Sequence, residues 1–353
     1  IANIPNNWGL NKYKGQPKQS YAVSFGKPLE IDANNTIGVV VAGTYSHSEK
    51  IENFWERTRR NEGDTTLFAY KYKFKTVVGG IANLAWKNKR GHRINFRNLY
   101  NRNFTHNNTV METENLTEPG VLYYRYYSTI NINTLWQTRL DGKHDILGKN
   151  LVFDWFADYS SVDRVEPDTR NSKGTIKEEY GYMDYLLSYN FSGSNPNKGL
   201  SIFATELNES KKNIGANLTA KFKLLGNEQK IKAGYSGSFR KSDYAQISLS
   251  VSRNNQSLQE LSGLTDVELG NPKYFGKDKL MYISILGNTD LGQGYEGTQD
   301  IHAGYILAEF SPLKKIGING GVRIEHEIMD VRTMQRVRYS EGQYWTDSTI
   351  TYT

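Results

Sequence analysis

The sequence has no cysteine in its 353 residues, which removes disulfide frameworks and thiolate metal centres from consideration. Proline is scarce, at eight residues, while 24 Tyr and 14 Phe supply more ring surface than a disordered chain carries. No run approaches the roughly 18 apolar residues of a membrane-spanning helix, and mean hydropathy is −0.64. Helical membrane proteins are therefore excluded. A membrane barrel is not, because strands that alternate apolar and polar residues average to an ordinary hydropathy. Blocks of like charge are also missing. The 44 Lys and Arg against 37 Asp and Glu leave +7, but the cations recur at alternate positions of strand-like segments, so nucleic acid is not the expected partner.

What is present is alternation. Over residues 68–86 the even positions read Phe68, Tyr70, Tyr72, Phe74, Thr76, Val78, Gly80, Ala82, Leu84 and Trp86, while the odd ones include Lys71, Lys73, Lys75, Asn83 and Lys87. From Phe74 to Trp86 a rise of about 3.3 Å per residue gives about 40 Å along the strand, reduced to about 30 Å by a tilt of about 40°. That span matches an apolar band of about 25 Å with aromatic girdles at its edges. The same contrast recurs across the chain. Tyr124, Tyr126 and Trp136 oppose Arg125 and Arg139, Trp155 opposes Asp154 and Asp158, and Val322 and Ile324 oppose Arg323 and Glu325. The expected girdle rings are Tyr70, Tyr72, Phe74, Trp86, Tyr124, Tyr126, Trp136 and Trp155.

Connection lengths point the same way. Short polar turns are expected at 32–35, 89–91, 141–143, 226–228 and 313–315, and long loops at 47–65, 103–119, 161–199 and 254–298. Short turns at one end and long loops at the other mark an outer-membrane barrel, whereas soluble sandwiches mix their connections. About ten long strands are expected, with an eleventh near Trp345. The expected fold is all-β, a transmembrane antiparallel β-barrel present in part. Ile1 is not a start methionine, no signal-like segment follows it, and the last residues read as a strand without a cap. The chain is therefore expected to be a piece of a larger barrel, filling residues 1–353 as one domain.

Three segments carry a family resemblance: Asn7-Trp8-Gly9-Leu10 leading to residues 19–26 (QSYAVSFG), residues 320–326 (GGVRIEH), and Asp347-Ser348-Thr349. In these the chain resembles the barrel of TonB-dependent outer-membrane receptors, and most of all the class with a carboxypeptidase-regulatory-like domain ahead of its plug. The resemblance implies the first half of a 22-stranded barrel in the outer membrane of a Gram-negative bacterium, with the plug, the TonB box and the closing strands outside this sequence. It further implies import of a scarce ligand captured by extracellular loops, driven by the TonB–ExbB–ExbD complex acting through the plug. Iron chelates, cobalamin-like molecules, glycans and peptides all fit this architecture. A passive or secretion-associated pore is the alternative from another class, and a barrel enzyme a third.

Chemical motifs are weak. Residues 292–297 spell GxGxxG, but a strand-like stretch follows where the dinucleotide fingerprint needs a helix. Six histidines are scattered without ligand spacing, so neither metal nor cofactor is expected. Asp154 and Asp158 lie four apart on one face, about 13 Å, too far for a glycosidase pair at about 5–9.5 Å. No catalytic residues and no enzyme activity are expected. The candidate plug- or ligand-facing wall is Arg93, Arg97, Arg125, Arg139, Asp154, Asp158, Arg323 and Glu325, charges that need carboxylate or backbone partners once water is displaced. The loop over 256–288 holds many apolar residues, read as self-packing over the pore mouth or contact with a surface lipoprotein. Residues 257–264 are expected to form a short helix.

Overall fold

The computed structural model describes residues 14–60, 63–114, 121–148, 150–177, 182–185, 200–224, 226–253, 264, 268, 271–275, 279–285, 293–313, 316–339 and 342–352. Its strands are β1 (Gln19–Glu30), β2 (Asn35–Arg60), β3 (Gly63–Asn88), β4 (His92–Glu114), β5 (Val121–Ile146), β6 (Leu151–Lys177), β7 (Tyr182–Tyr185), β8 (Ser201–Leu224), β9 (Asn227–Arg253), β10 (Met281–Ile285), β11 (Gln293–Leu313), β12 (Ile316–Tyr339) and β13 (Gly342–Tyr352). They form one sheet in which each long strand pairs with the next, β1 through β6, then β8, β9, β11, β12 and β13, while β7 extends beside β6 and β10 beside β9. Every pairing is antiparallel. Ten long strands and an eleventh at 342 agree with the alternation. The fold is all-β and the sheet fits a partial barrel. β1 and β13 stand at its two edges, so it is not closed.

Unbroken register keeps the two faces distinct. One line of directly paired residues runs Leu29, Ile37, Trp86, Ile94, Gly142, Trp155, Ala216, Tyr235, Gly304, Ile324, with no charged or hydrophilic aliphatic side chain in it. One residue along each strand the line reads Thr36, Lys87, Arg93, Lys143, Asp154, Asn217, Gly234, Tyr305, Arg323. A period of two in the sequence has become an apolar face and a polar face.

Strand lengths depart from expectation. The stretches at 47–65 and 103–119 are largely ladder rather than loop, and β2, β3 and β5 each run 26 residues. At about 3.3 Å per residue that is about 86 Å, roughly twice what a tilted strand needs to cross a bilayer. The hairpins thus continue well past the expected band. Residues 161–177 are also strand, and the reason is a bulge at Pro167. Relative to both β5 and β8, β6 carries one extra residue there, with shifts between Thr129/Ile132 and between Glu166/Thr169. Proline cannot donate to a ladder, and a bulge is where a sheet accommodates it. The bulge also switches parity, so Arg170 and Ser172 stand on the face that Val165 and Tyr159 occupy below. Pro312 repeats the device in β11, between Phe310 and Leu313. There Gln229, 1% exposed, stands in for the missing peptide group. Its Nε2 donates to Ser311 O at 3.1 Å and its Oε1 accepts from Ser311 N at 2.6 Å.

The turn expected at 141–143 is not one. β5 continues to Ile146, and the chain reverses at 147–150, where Leu147 (φ 49) and Gly148 (φ 65) supply the left-handed backbone. Asp141, Gly142 and Lys143 simply keep the alternation. The turn at 32–35 forms as expected, with Asp32 Oδ1 accepting from the backbone N–H of Asn34 and Asn35 at 2.7 and 2.8 Å.

Packing is concentrated at the far end of the hairpins. Leu200, Val251, Phe275 and Met281 form a buried cluster with Ile202, Leu264, Tyr274 and Leu280 against it. The apolar stretch at 256–288 therefore packs, in its described part, on the ends of β8 and β9. Residues 257–263 of the expected helix lie outside the described residues, as do Asn7 to Leu10.

Candidate functional site

The strongest concentration of paired charge lies on the polar face near the short turns. Antiparallel register sets Asn95 opposite Asp141, Arg97 opposite Arg139, and Arg139 opposite Asp158. Two arginines directly across a ladder repel, and Asp141 sits where it answers both. It pairs with Arg97 and lies 3.5 Å from Arg139 Nε, while Asn95 Nδ2 donates to its other oxygen at 2.7 Å. Arg139 continues to Asp158 at 3.3 Å, and Asn213 Nδ2 donates to that carboxylate at 2.6 Å.

A second chain of contacts starts at Asp154. Asn217 Nδ2 donates to it at 2.7 Å, Tyr305 OH donates to Asn217 Oδ1 at 2.6 Å, and Lys232 Nζ lies 5.9 Å from the centre of the Tyr305 ring. Two glycines make room for the rings. Phe156 lies across Gly215, where an added Cβ would come within 2.4 Å of its ring, and Tyr305 lies across Gly234, where the distance would be 2.6 Å. The Arg139 guanidinium then stacks over Phe156 at 4.4 Å. The outcome is a flat, polar, mutually neutralised wall running from β4 to β11. It can hydrogen-bond and orient a partner. Asp141, Asp154 and Asp158 each accept from or pair with arginine or asparagine.

Of the residues named from sequence, the structure brings together Arg97, Arg139 and Asp158, with Asp154 four residues from Asp158 along β6 on the same face. Arg125 stands further out along β5, donating from Nε to Asn171 Oδ1 at 2.7 Å with its guanidinium 5.8 Å from the Tyr127 ring. Arg323, opposite Tyr305 at the β12 margin of the wall, pairs with Glu325 on its own strand, at 3.0 Å from Nε and 2.7 Å from Nη2. Arg93 has no side-chain hydrogen bond or ion pair among the described residues. The residue sequence reasoning missed is Asp141, hidden by the misplaced turn. Its signal was available: Arg139, Asp141, Lys143 and Asp145 share one parity against Leu140, Gly142, His144 and Ile146.

The expected girdle rings occupy the apolar face, with differing surroundings. Tyr70 and Trp136 are open, and Trp136 packs edge-on against Tyr159 at 5.8 Å. Trp155 crosses Gly142 and donates from Nε1 to His144 Nε2 at 3.1 Å. Tyr126 is different. It is 2% exposed, with its hydroxyl donating to Asn108 Oδ1 at 2.9 Å. It lies in the extended hairpins, packed rather than open. The GxGxxG stretch, in its described part, is ladder: Gly294 and Gly297 sit in β11, paired on both sides.

No family model and no curated protein matches the sequence. Among solved structures, BauA, the ferric preacinetobactin receptor from Acinetobacter baumannii, aligns with 95% of this chain at 8% identity and a TM-score of 0.22. This chain spans 62% of the length of that one. A likeness so slight carries no weight for fold or function.

Proposed function

We propose that this chain is barrel wall from an outer-membrane active-transport receptor, which binds a scarce ligand through its outer hairpins and imports it with TonB-coupled energy. One observation carries the reading: many large side chains of the apolar face are open rather than packed. Leu84, Leu140, Ile214, Val322 and Ile324 are 48, 37, 43, 65 and 74% exposed. Full burial of one such side chain is worth about 1.5–3 kcal/mol. About a dozen half-open ones forgo stabilisation comparable to the roughly 5–15 kcal/mol that holds a protein folded in water. Hydrocarbon as the solvent of that face removes the conflict.

The polar wall then faces a plug and the ligand route. Its paired charges select by hydrogen bonding, no bond in the ligand is made or broken, and the energising complex acts through the plug. A surface lipoprotein over the hairpin ends belongs to the same reading. The direct test reconstitutes the protein in vesicles containing brominated lipid. Quenching of Trp86, Trp136 and Trp155 fluorescence is expected, and a folded, detergent-free soluble monomer would overturn the assignment. Ligand uptake that persists after loss of TonB would leave the barrel but point to a passive pore.

A further inference from the structure

The line of paired residues nearest the short turns contains three cations in succession on the polar face: Lys87 opposite Arg93, and Arg93 opposite Lys143. All three are exposed, and none makes a hydrogen bond or ion pair with a described residue. The arrangement is unfavourable as it stands, because like charges directly across a ladder repel. One pleat further along, the same face solves the same problem by placing Asp141 between Arg97 and Arg139. Here no carboxylate does so. Asp154, opposite Lys143, accepts from Asn217 instead, and Asp145 turns toward the 89–91 turn, where its carboxylate occupies the space beside Gly91. Lys89 and Arg90, both exposed, add positive charge at that turn.

We infer that Lys87, Arg93 and Lys143 form a binding site for a phosphate-class oxyanion. Cβ atoms of directly opposed residues lie about 4.5–5.5 Å apart, so the three long side chains can converge on one tetrahedral group. The central guanidinium offers a planar two-pronged donor and the flanking ammoniums act as point charges, the combination that suits phosphoryl oxygens. The group is either free phosphate or a phosphoryl carried on a larger ligand. The site is separate from the transport proposal and is tested in detergent, where that proposal makes no demand.

The test is calorimetric titration of the folded chain with inorganic pyrophosphate at low ionic strength, with sheet content checked for every variant by circular dichroism. Saturable binding is expected, weakened about tenfold by Arg93→Gln and further by adding Lys87→Gln and Lys143→Gln. It should be unchanged by Lys241→Gln, an exposed lysine on the apolar face. Sugar phosphate binding more tightly than orthophosphate assigns the group to a larger ligand, and equal binding assigns it to the free anion. The inference is overturned if wild-type protein shows no saturable binding, if Lys241→Gln weakens it as much as Arg93→Gln does, or if a tricarboxylate of equal charge binds as tightly.

Discussion

The short-turn half of the sheet and the far ends of its hairpins are built from the same strands, yet they meet their surroundings differently. Within about 15 residues of the short turns, alternation is strict, the apolar face is open, and the polar face carries the Arg97–Asp141–Arg139–Asp158 wall. Further out the ladder bulges at Pro167, and Tyr126, Arg170, Ser172 and Leu200 are all at most 2% exposed. A contiguous apolar face of this size left uncovered is unusual in water and marks contact with a partner or a membrane. Beyond that zone β5, β6, β8 and β9 bury side chains among themselves, while β2 and β3 still expose Ile51, Trp55 and Phe68. On the transport reading proposed above, the open part of the apolar face near the short turns is the part that lipid would cover.

The largest expected effect tests that boundary directly. Val322→Arg and Ile324→Arg, near the short turns, should each cost about 2–4 kcal/mol in a bilayer. Ile247→Arg, also exposed on the apolar face but twenty residues along β9, should cost less than about 1 kcal/mol. Reversible unfolding into lipid vesicles measures all three, and equal costs would erase the proposed boundary.

Next in size is Gln229→Ala. Its buried amide closes the Pro312 bulge, so the loss should be about 1–3 kcal/mol, read as a lower unfolding midpoint. Asp141→Asn follows at about 1–2 kcal/mol, since it leaves two opposed arginines without their shared anion. Arg323→Gln, in an exposed pair on one strand, should stay within about 0.5 kcal/mol. If the two changes cost the same, the wall is no more than a set of surface pairs.

The smallest effect belongs to the 32–35 turn, between β1 and β2 at the short-turn edge of the sheet. Hydrogen bonds from Asn35 and from the Asn34 and Asn35 backbone hold the Asp32 carboxyl below its usual range. A carboxylate whose folded value is depressed stabilises the fold above its unfolded value and loses that contribution as pH falls through the folded one. The β1–β2 hairpin should therefore exchange its amides faster below the ordinary carboxylate range, and Asp32→Ala should show the fast rate at neutral pH.

Much of this architecture was legible in the residues. Strand number and the assignment of Trp86, Trp155, Arg97 and Arg139 to opposite faces follow from a period of two, whereas the long connection expected at 47–65 is not found, since β2 ends at Arg60 and β3 begins at Gly63. Two things were misread for identifiable reasons. An Asp-Gly-Lys triplet has turn composition, but at 141–143 it sits inside a ladder whose neighbours on both sides supply partners. Polar stretches such as 103–114 look like loops until a partner strand of matching length satisfies their backbone groups, which depends on the neighbour and not on the segment itself.

By itself, then, the sequence determined which side chains share a face, because that depends only on the local geometry of an extended chain. The tertiary structure alone decided which charges meet. Arg97 finds Asp141, and Arg93 finds two more cations, through the register between strands. Register is fixed by the turns at 89–91 and 147–150 and by the bulge at Pro167, features whose effects add up across many residues and cannot be read from any one of them.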